Sequence, residues 1–163
     1  MSTVTIESTR FGTLEIASED VIEFPNGLIG LGGRRYAIVA NDGDSAFSWL
    51  HSIDDPSLAL PVTKPWPFFA DYEVKLSDDD AQTLQLESPE QAEIFCVVRA
   101  ADQLGDFTIN LRGPIVIHGA SRLGRQVINE VGGYGVREPL FSRVPLSEVR
   151  PATPAAPVAA TGV

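Results

Sequence analysis

Apolar and polar residues alternate in short runs along most of this chain. Val4 and Ile6 are interleaved with Thr5 and Glu7, and Leu14 and Ile16 with Thr13 and Glu15. A period of two sends successive side chains to opposite faces, as in a half-buried strand. Between these runs, Ser8-Thr9-Arg10-Phe11-Gly12 reads as a hairpin loop. Further strands are predicted over 21–24, 35–40, 47–53 and 58–62. The breaks between them carry turn chemistry: Pro25-Asn26-Gly27, Asn41-Asp42-Gly43-Asp44 and Asp54-Asp55-Pro56.

The middle of the chain loses this rhythm. Pro61, Pro65 and Pro67 surround Trp66, Phe68 and Phe69, so the stretch is irregular and aromatic. Ser77 ahead of Asp78-Asp79-Asp80 supplies an N-cap and an acidic first turn, which predicts a short helix over 77–85. Ser88-Pro89-Glu90-Gln91 combines a cap, Pro at the first helical position and Gln three residues after the cap, enough for one turn. A strand over 92–99 follows, with Ile94, Cys96 and Val98 on one face and Phe95 and Val97 on the other, so it is covered on both sides. Phe107, Ile109 and Leu111 alternate with Thr108, Asn110 and Arg112. Gly113-Pro114 turns into a strand over 115–117, and 126–131 is the last candidate. Nine or ten short strands with close turns predict an all-β fold, a small antiparallel β-barrel-like domain with one or two short helices. Residues 1–150 are expected to form this single domain. Residues 151–163, rich in Pro and Ala and without charge, are expected to be a disordered tail.

Charge narrows the choice of partner. The chain carries 12 Lys+Arg against 22 Asp+Glu, a net charge of −10. Between 42 and 106 three bases face fourteen acids, whereas from 111 onward six bases face three acids. A nucleic-acid binder concentrates positive charge, so direct DNA or RNA binding is not expected. A basic protein partner suits the acidic middle, and solubility alone also accounts for it. No apolar run is long enough to span a membrane. There is neither a basic-then-apolar leader nor a second cysteine for a disulfide, which points to the cytoplasm.

Chemistry is sparse. The glycines at 27, 30, 32 and 33 lead into a predicted strand, not into the helix N-terminus that a phosphate loop needs. His51 and His118 are far apart in sequence, and no G-x-S-x-G elbow is present. Cys96 lies mid-strand among apolar residues, the setting of an inert thiol. Consecutive Asp78, Asp79 and Asp80 do not form a calcium-loop pattern. No catalytic residue, cofactor or metal is expected. Trp66, Phe68, Phe69 and Tyr72 suit either a core or an exposed partner surface.

A set of ordered motifs resembles the flagellar assembly factor FliW family. These are Arg10-Phe11-Gly12 with Leu14-Glu15-Ile16, Phe24-Pro25-Asn26-Gly27-Leu28-Ile29-Gly30, Trp49-Leu50-His51-Ser52 before Asp55-Pro56, and Asp71-Tyr72-Glu73. The most specific is Thr108-Ile109-Asn110-Leu111-Arg112-Gly113-Pro114-Ile115-Val116-Ile117, continued by Gly124-Arg125-Gln126-Val127-Ile128 and Tyr134. Departures are Gly113 for a usual alanine, His118 for asparagine, Leu31 for phenylalanine and His51 for glutamine.

The resemblance implies a β-barrel-like regulator that is not an enzyme. It implies binding to the RNA-binding translational repressor CsrA and to flagellin in a partner switch that controls flagellin translation. The candidate protein-binding residues are Phe69, Asp71, Tyr72, Glu73, Asp78, Asp79 and Asp80. Asp78–Asp80 also serve a helix start without any partner. The alternative from another class is a small-molecule-binding β-barrel or an undetected hydrolase.

Overall fold

The computed structural model describes residues 2–28, 33–40 and 47–141. The expected tail over 151–163, the last residues of the expected domain, the Asn41-Asp42-Gly43-Asp44 turn and the glycines at 30 and 32 lie outside them. Within the described residues eleven strands occur: β1 (Thr3–Ser8), β2 (Gly12–Ala17), β3 (Ile22–Glu23), β4 (Arg35–Ala40), β5 (Phe47–Ser52), β6 (Ala59–Thr63), β7 (Ala92–Arg99), β8 (Thr108–Ile109), β9 (Ile115–His118), β10 (Leu123–Gln126) and β11 (Glu138–Pro139). One α-helix, α1 (Asp78–Thr83), interrupts them.

The strands close on themselves. Antiparallel pairing runs from β3 through β4, β5 and β6 to β7, then from β7 to β9 and from β9 to β10. Leu123 of β10 then pairs with Glu23 of β3, completing a seven-stranded ring. This last pairing is parallel, whereas the sequence pattern predicts an antiparallel barrel throughout. β7 makes the closure possible by dividing its length. Ala92 to Phe95 pair with β9, and Val98 and Arg99 pair with β8 on the same edge. β8 and β11 thus extend outside the ring. In place of the strand predicted over 126–131, β10 covers Leu123–Gln126, and β11 has no counterpart in the sequence reading.

Alternation fills the barrel. Ile22, Tyr36, Leu50, Leu60, Phe95 and Ile117, from β3, β4, β5, β6, β7 and β9, meet in one buried cluster with Phe24 and Leu28. Burying a side chain of this size stabilises the fold by about 1.5–3 kcal/mol. β10 contributes the small residue of the layer. A Cβ on Gly124 would lie 2.7 Å from two ring carbons of Phe24. The opposite face of β7 is also covered. Cys96 and Val98 join a second cluster with Phe47, Phe69, Tyr72, Phe107, Ile109 and Leu111, while Ile94 packs on Leu84 and Val116. The two-sided covering read from 92–99 is therefore present.

α1 forms where its caps demand it. Ser77 Oγ accepts from Asp80 N–H at 3.0 Å, and three carboxylates occupy the first turn. At the other end Gln85 takes a left-handed φ of 60°. Leu86 N–H donates to Ala81 O at 2.9 Å and Gln85 N–H to Gln82 O at 3.0 Å, which completes a Schellman cap. Leu84, fully buried, is thereby pressed against the outer face of β9 and β10.

The β1–β2 hairpin is a separate two-stranded sheet. Its loop, Thr9-Arg10-Phe11, ends at Gly12 with φ of 73°. It is fastened to the barrel through a buried pair. Ser8 Oγ lies 2.8 Å from His51 Nε2, and His51 Nδ1 lies 2.8 Å from the Ser52 carbonyl oxygen. A carbonyl only accepts, so Nδ1 carries the proton and Nε2 accepts from the Ser8 hydroxyl. Ser8 Oγ also accepts from Arg10 and Phe11 N–H, each at 3.1 Å. The pair therefore locks the hairpin to β5.

Burial holds the His51 pKa below its ordinary value of 6.5; Arg10 nearby adds to this, while the Ser52 carbonyl and Asp55 oppose it. Native His51 thus binds its proton less readily than the unfolded chain does. The stabilisation is complete above pH 6.5 and is lost as the pH falls toward the lower native pKa, with a slope of about 1.4 kcal/mol per pH unit. His51→Gln is expected to remove this part of the acid sensitivity. Urea midpoints of both proteins across pH 5 to 8 check it, and parallel pH profiles would show that the pair does not titrate with folding.

Candidate protein-binding face

The seven candidate residues fall into three groups. Phe69 and Tyr72 are only 7% and 4% exposed and belong to the second core cluster. They lie beneath the surface, in the core that supports it. The Tyr72 hydroxyl donates to Leu111 O at 2.6 Å, and burial raises its pKa. Cys96, in the same cluster, is pushed up to about 12 by burial, which outweighs the opposing influence of the neighbouring Tyr72 hydroxyl. Such a thiol is inert near neutrality.

Asp78, Asp79 and Asp80 sit in the first turn of α1. Arg125 of β10 reaches two of them, with Nη1 3.4 Å from Asp79 Oδ2 and Nε 3.4 Å from Asp80 Oδ1. The same Nη1 donates to Thr83 Oγ1 at 2.9 Å. Asp80 is therefore satisfied within the molecule by a helix start and an arginine, and Asp78 and Asp79 face solvent.

Asp71 and Glu73 flank Tyr72, so when the tyrosine points inward they point out. Both are exposed, and neither joins an ion pair among the described residues. Their segment is not a strand but is held as firmly as one. Asn129 Nδ2 donates to Glu73 O at 2.8 Å, Lys75 N–H donates to Asn129 Oδ1 at 3.0 Å, and Glu130 N–H donates to Lys75 O at 3.0 Å. Two aromatic rings frame the acids. Tyr134 packs edge-on to Tyr72 at 4.8 Å, and its hydroxyl accepts from Glu73 N–H at 3.1 Å. Trp66 is 39% exposed, with Nε1 donating to Tyr72 O at 3.0 Å. Pro65 and Pro67 on either side limit its backbone freedom. Trp66 divides the aromatic group: it faces outward, whereas Phe69 and Tyr72 are core.

Next to this patch runs an apolar groove of about 350 Å³. Val74, Leu76, Ala81 of α1, Leu86, and Ala92 and Ile94 of β7 give it an apolar lining, with Lys75 and Glu87 also bordering it. Asn129 and the groove were not legible in the sequence. The first sits in a segment that reads as strand, and the second depends on where α1 lands. Among the described residues no group of three or more His, Cys, Asp or Glu is placed to hold a metal ion. No helix among them is long and apolar enough to cross a membrane.

Known proteins share this architecture. A family model described as FliW protein matches residues 5–140. The flagellar assembly factor FliW of Desulfitobacterium hafniense (strain Y51) is 38% identical over 144 residues, covering 88% of this chain and 95% of the relative. That of Magnetococcus marinus is 36% identical over 138 residues, covering 83% and 84%. A crystal structure of the flagellar assembly factor FliW superimposes with a TM-score of 0.77 at 28% identity, covering 86% of this chain and 99% of that chain.

Proposed function

Because the chain belongs to the FliW family of flagellar assembly factors, we propose that it works in the cytoplasm as a protein-binding regulator, without catalysis of its own. It binds the translational repressor CsrA and flagellin in alternation. Flagellin in excess occupies it and leaves the repressor free to silence flagellin mRNA. Export of flagellin releases it to take up the repressor.

The observation that supports this reading is the pair of exposed carboxylates, Asp71 and Glu73, without an ion-pair partner among the described residues, beside the half-exposed Trp66. An RNA-binding repressor carries basic surface, and unneutralised acids steer such a surface into contact from a distance. An anchored tryptophan supplies the buried contact that holds the complex. The apolar groove beside α1 suits the nonpolar face of a helix from flagellin. The alternative of a ligand-holding barrel has less to build on at its centre, which is packed with side chains from six strands.

Charge reversal tests the assignment. Asp71→Lys with Glu73→Lys is expected to slow association with the repressor about tenfold or more at low salt and to flatten its salt dependence. Flagellin binding and the melting temperature are expected to stay close to those of the unaltered protein. Stopped-flow association at several salt concentrations reads the effect. An unchanged on-rate and salt slope would move the repressor contact elsewhere. Recovery of neither partner from a lysate would overturn the proposed function itself.

A further inference from the structure

We propose that a pocket at one mouth of the barrel binds a free α-amino acid with an apolar side chain. The pocket lies apart from the protein-binding face, and the proposal stands independently of the partner switch. Its floor is Ile22, Ile38, Phe95 and Ile117, inward residues of β3, β4, β7 and β9. Its rim carries Asp20, Glu93 and Arg122. The volume is about 290 Å³, near the lower end for small-molecule sites.

Arg122 gives the pocket its chemistry. It lies in the turn between β9 and β10 with φ of 58°, a left-handed conformation in which most residues other than glycine are strained. Neighbours fix that backbone: Arg122 N–H donates to His118 O at 2.9 Å, and Glu23 N–H donates to Arg122 O at 2.9 Å. Glycine would satisfy the same turn, so what arginine adds is its side chain. Nη2 donates to the Asp20 carbonyl oxygen at 2.9 Å, which lays the guanidinium along the rim. Nε is shielded from water and has no hydrogen-bond partner among the described residues.

No ion pair among the described residues joins Arg122 to Asp20 or Glu93. A cation and two anions thus border one cavity without neutralising one another, above an apolar floor. A molecule with a carboxylate, an ammonium and an apolar group on one carbon complements all three features. The carboxylate takes the free part of the guanidinium fork, the ammonium sits between Asp20 and Glu93, and the side chain meets the floor. A simple anion would face two carboxylates, and a simple cation would face the arginine.

Calorimetric titration of the full chain with L-leucine and L-phenylalanine tests this. Their methyl esters, which lack the carboxylate, and their N-acetyl forms, which lack the ammonium, are expected to bind at least about tenfold more weakly, as is glycine. Arg122→Gly is expected to melt no lower than the unaltered protein, because glycine suits the left-handed backbone, and yet to lose binding. Glu93→Gln, at an exposed position, is expected to weaken binding with the fold kept. Binding of neither amino acid would overturn the proposal. So would equal binding by Arg122→Gly, or equal binding of the N-acetyl forms, which would make the pocket a reader of peptide C-termini.

Discussion

Gly124→Ala is expected to cost about 2–3 kcal/mol of folding stability, the upper part of the range for overpacking a filled core. The new methyl would stand 2.7 Å from two ring carbons of Phe24 and 3.0 Å from Ile22 Cγ2. Both neighbours are fully buried. Phe24 cannot swing aside, because it packs edge-on against Tyr36 at 5.4 Å in the same cluster. Relief therefore has to come from β10 moving outward, at the place where the ring of strands closes. Urea unfolding reads the effect as a lower midpoint. Phe24→Leu in the same chain is expected to return part of the loss, since the shorter side chain vacates the space the methyl needs. A midpoint unchanged by Gly124→Ala would mean that this layer of the barrel is loosely packed.

Asn129→Leu is expected to cost at least as much, about 3 kcal/mol or more. The change keeps the approximate size and removes every hydrogen bond of the side chain. Lys75 N–H and Val131 N–H lose Oδ1 at 3.0 Å each, and Glu73 O loses Nδ2 at 2.8 Å. A polar group left unpaired away from water costs about 1–3 kcal/mol. Asn129→Asp keeps the acceptor for the two amides but sets a second carboxylate oxygen against Glu73 O, so it too is expected to lose stability at neutral pH. Hydrogen exchange locates the damage. The amide of Lys75 is expected to lose protection before the barrel strands do, and repressor association to slow as Asp71 and Glu73 lose their fixed positions. An Asn129→Leu protein as stable as the parent would show that the 73–75 segment is held by its side-chain packing alone.

The strands were legible from two patterns. β1 alternates as a strand half in water must, β5 to β7 read instead as short apolar runs bounded by turn residues because they are buried on both faces or nearly so, and α1 follows from a serine cap and three carboxylates. What alternation cannot convey is which edges meet. The parallel pairing of β3 with β10 rests on single residues, Glu23 and Leu123, too little sequence to leave a pattern. The displaced last strand has a physical cause too. Val127 and Asn129 are buried and Ile128 is exposed, so 127–129 alternate as a strand would. Their backbone runs on from β10 against the 112–114 turn, with Val127 N–H donating to Pro114 O at 3.0 Å and Asn129 N–H to Arg112 O at 2.8 Å, while the Asn129 side chain holds the 73–75 segment. At the candidate face the sequence revealed the acids but not their partners. Arg125 lies far along the chain from Asp79 and Asp80, and only the fold shows that it occupies two of three helix-start carboxylates. Tyr72 and Trp66 look equally eligible as surface aromatics until the Leu111 carbonyl claims one of them for the interior.

The way the ring closes also decides when the molecule can exist at all. β3 emerges from the ribosome early and waits for β10, and the first half of β7 waits for β9. A nascent chain that stops before residue 115 has no smaller barrel to fall into. It has an open sheet with two bare edges, the kind of surface that pairs with other copies. Pairings between such distant segments form slowly. Closing the ring therefore needs β3 and β10 present together, with most of the described chain between them.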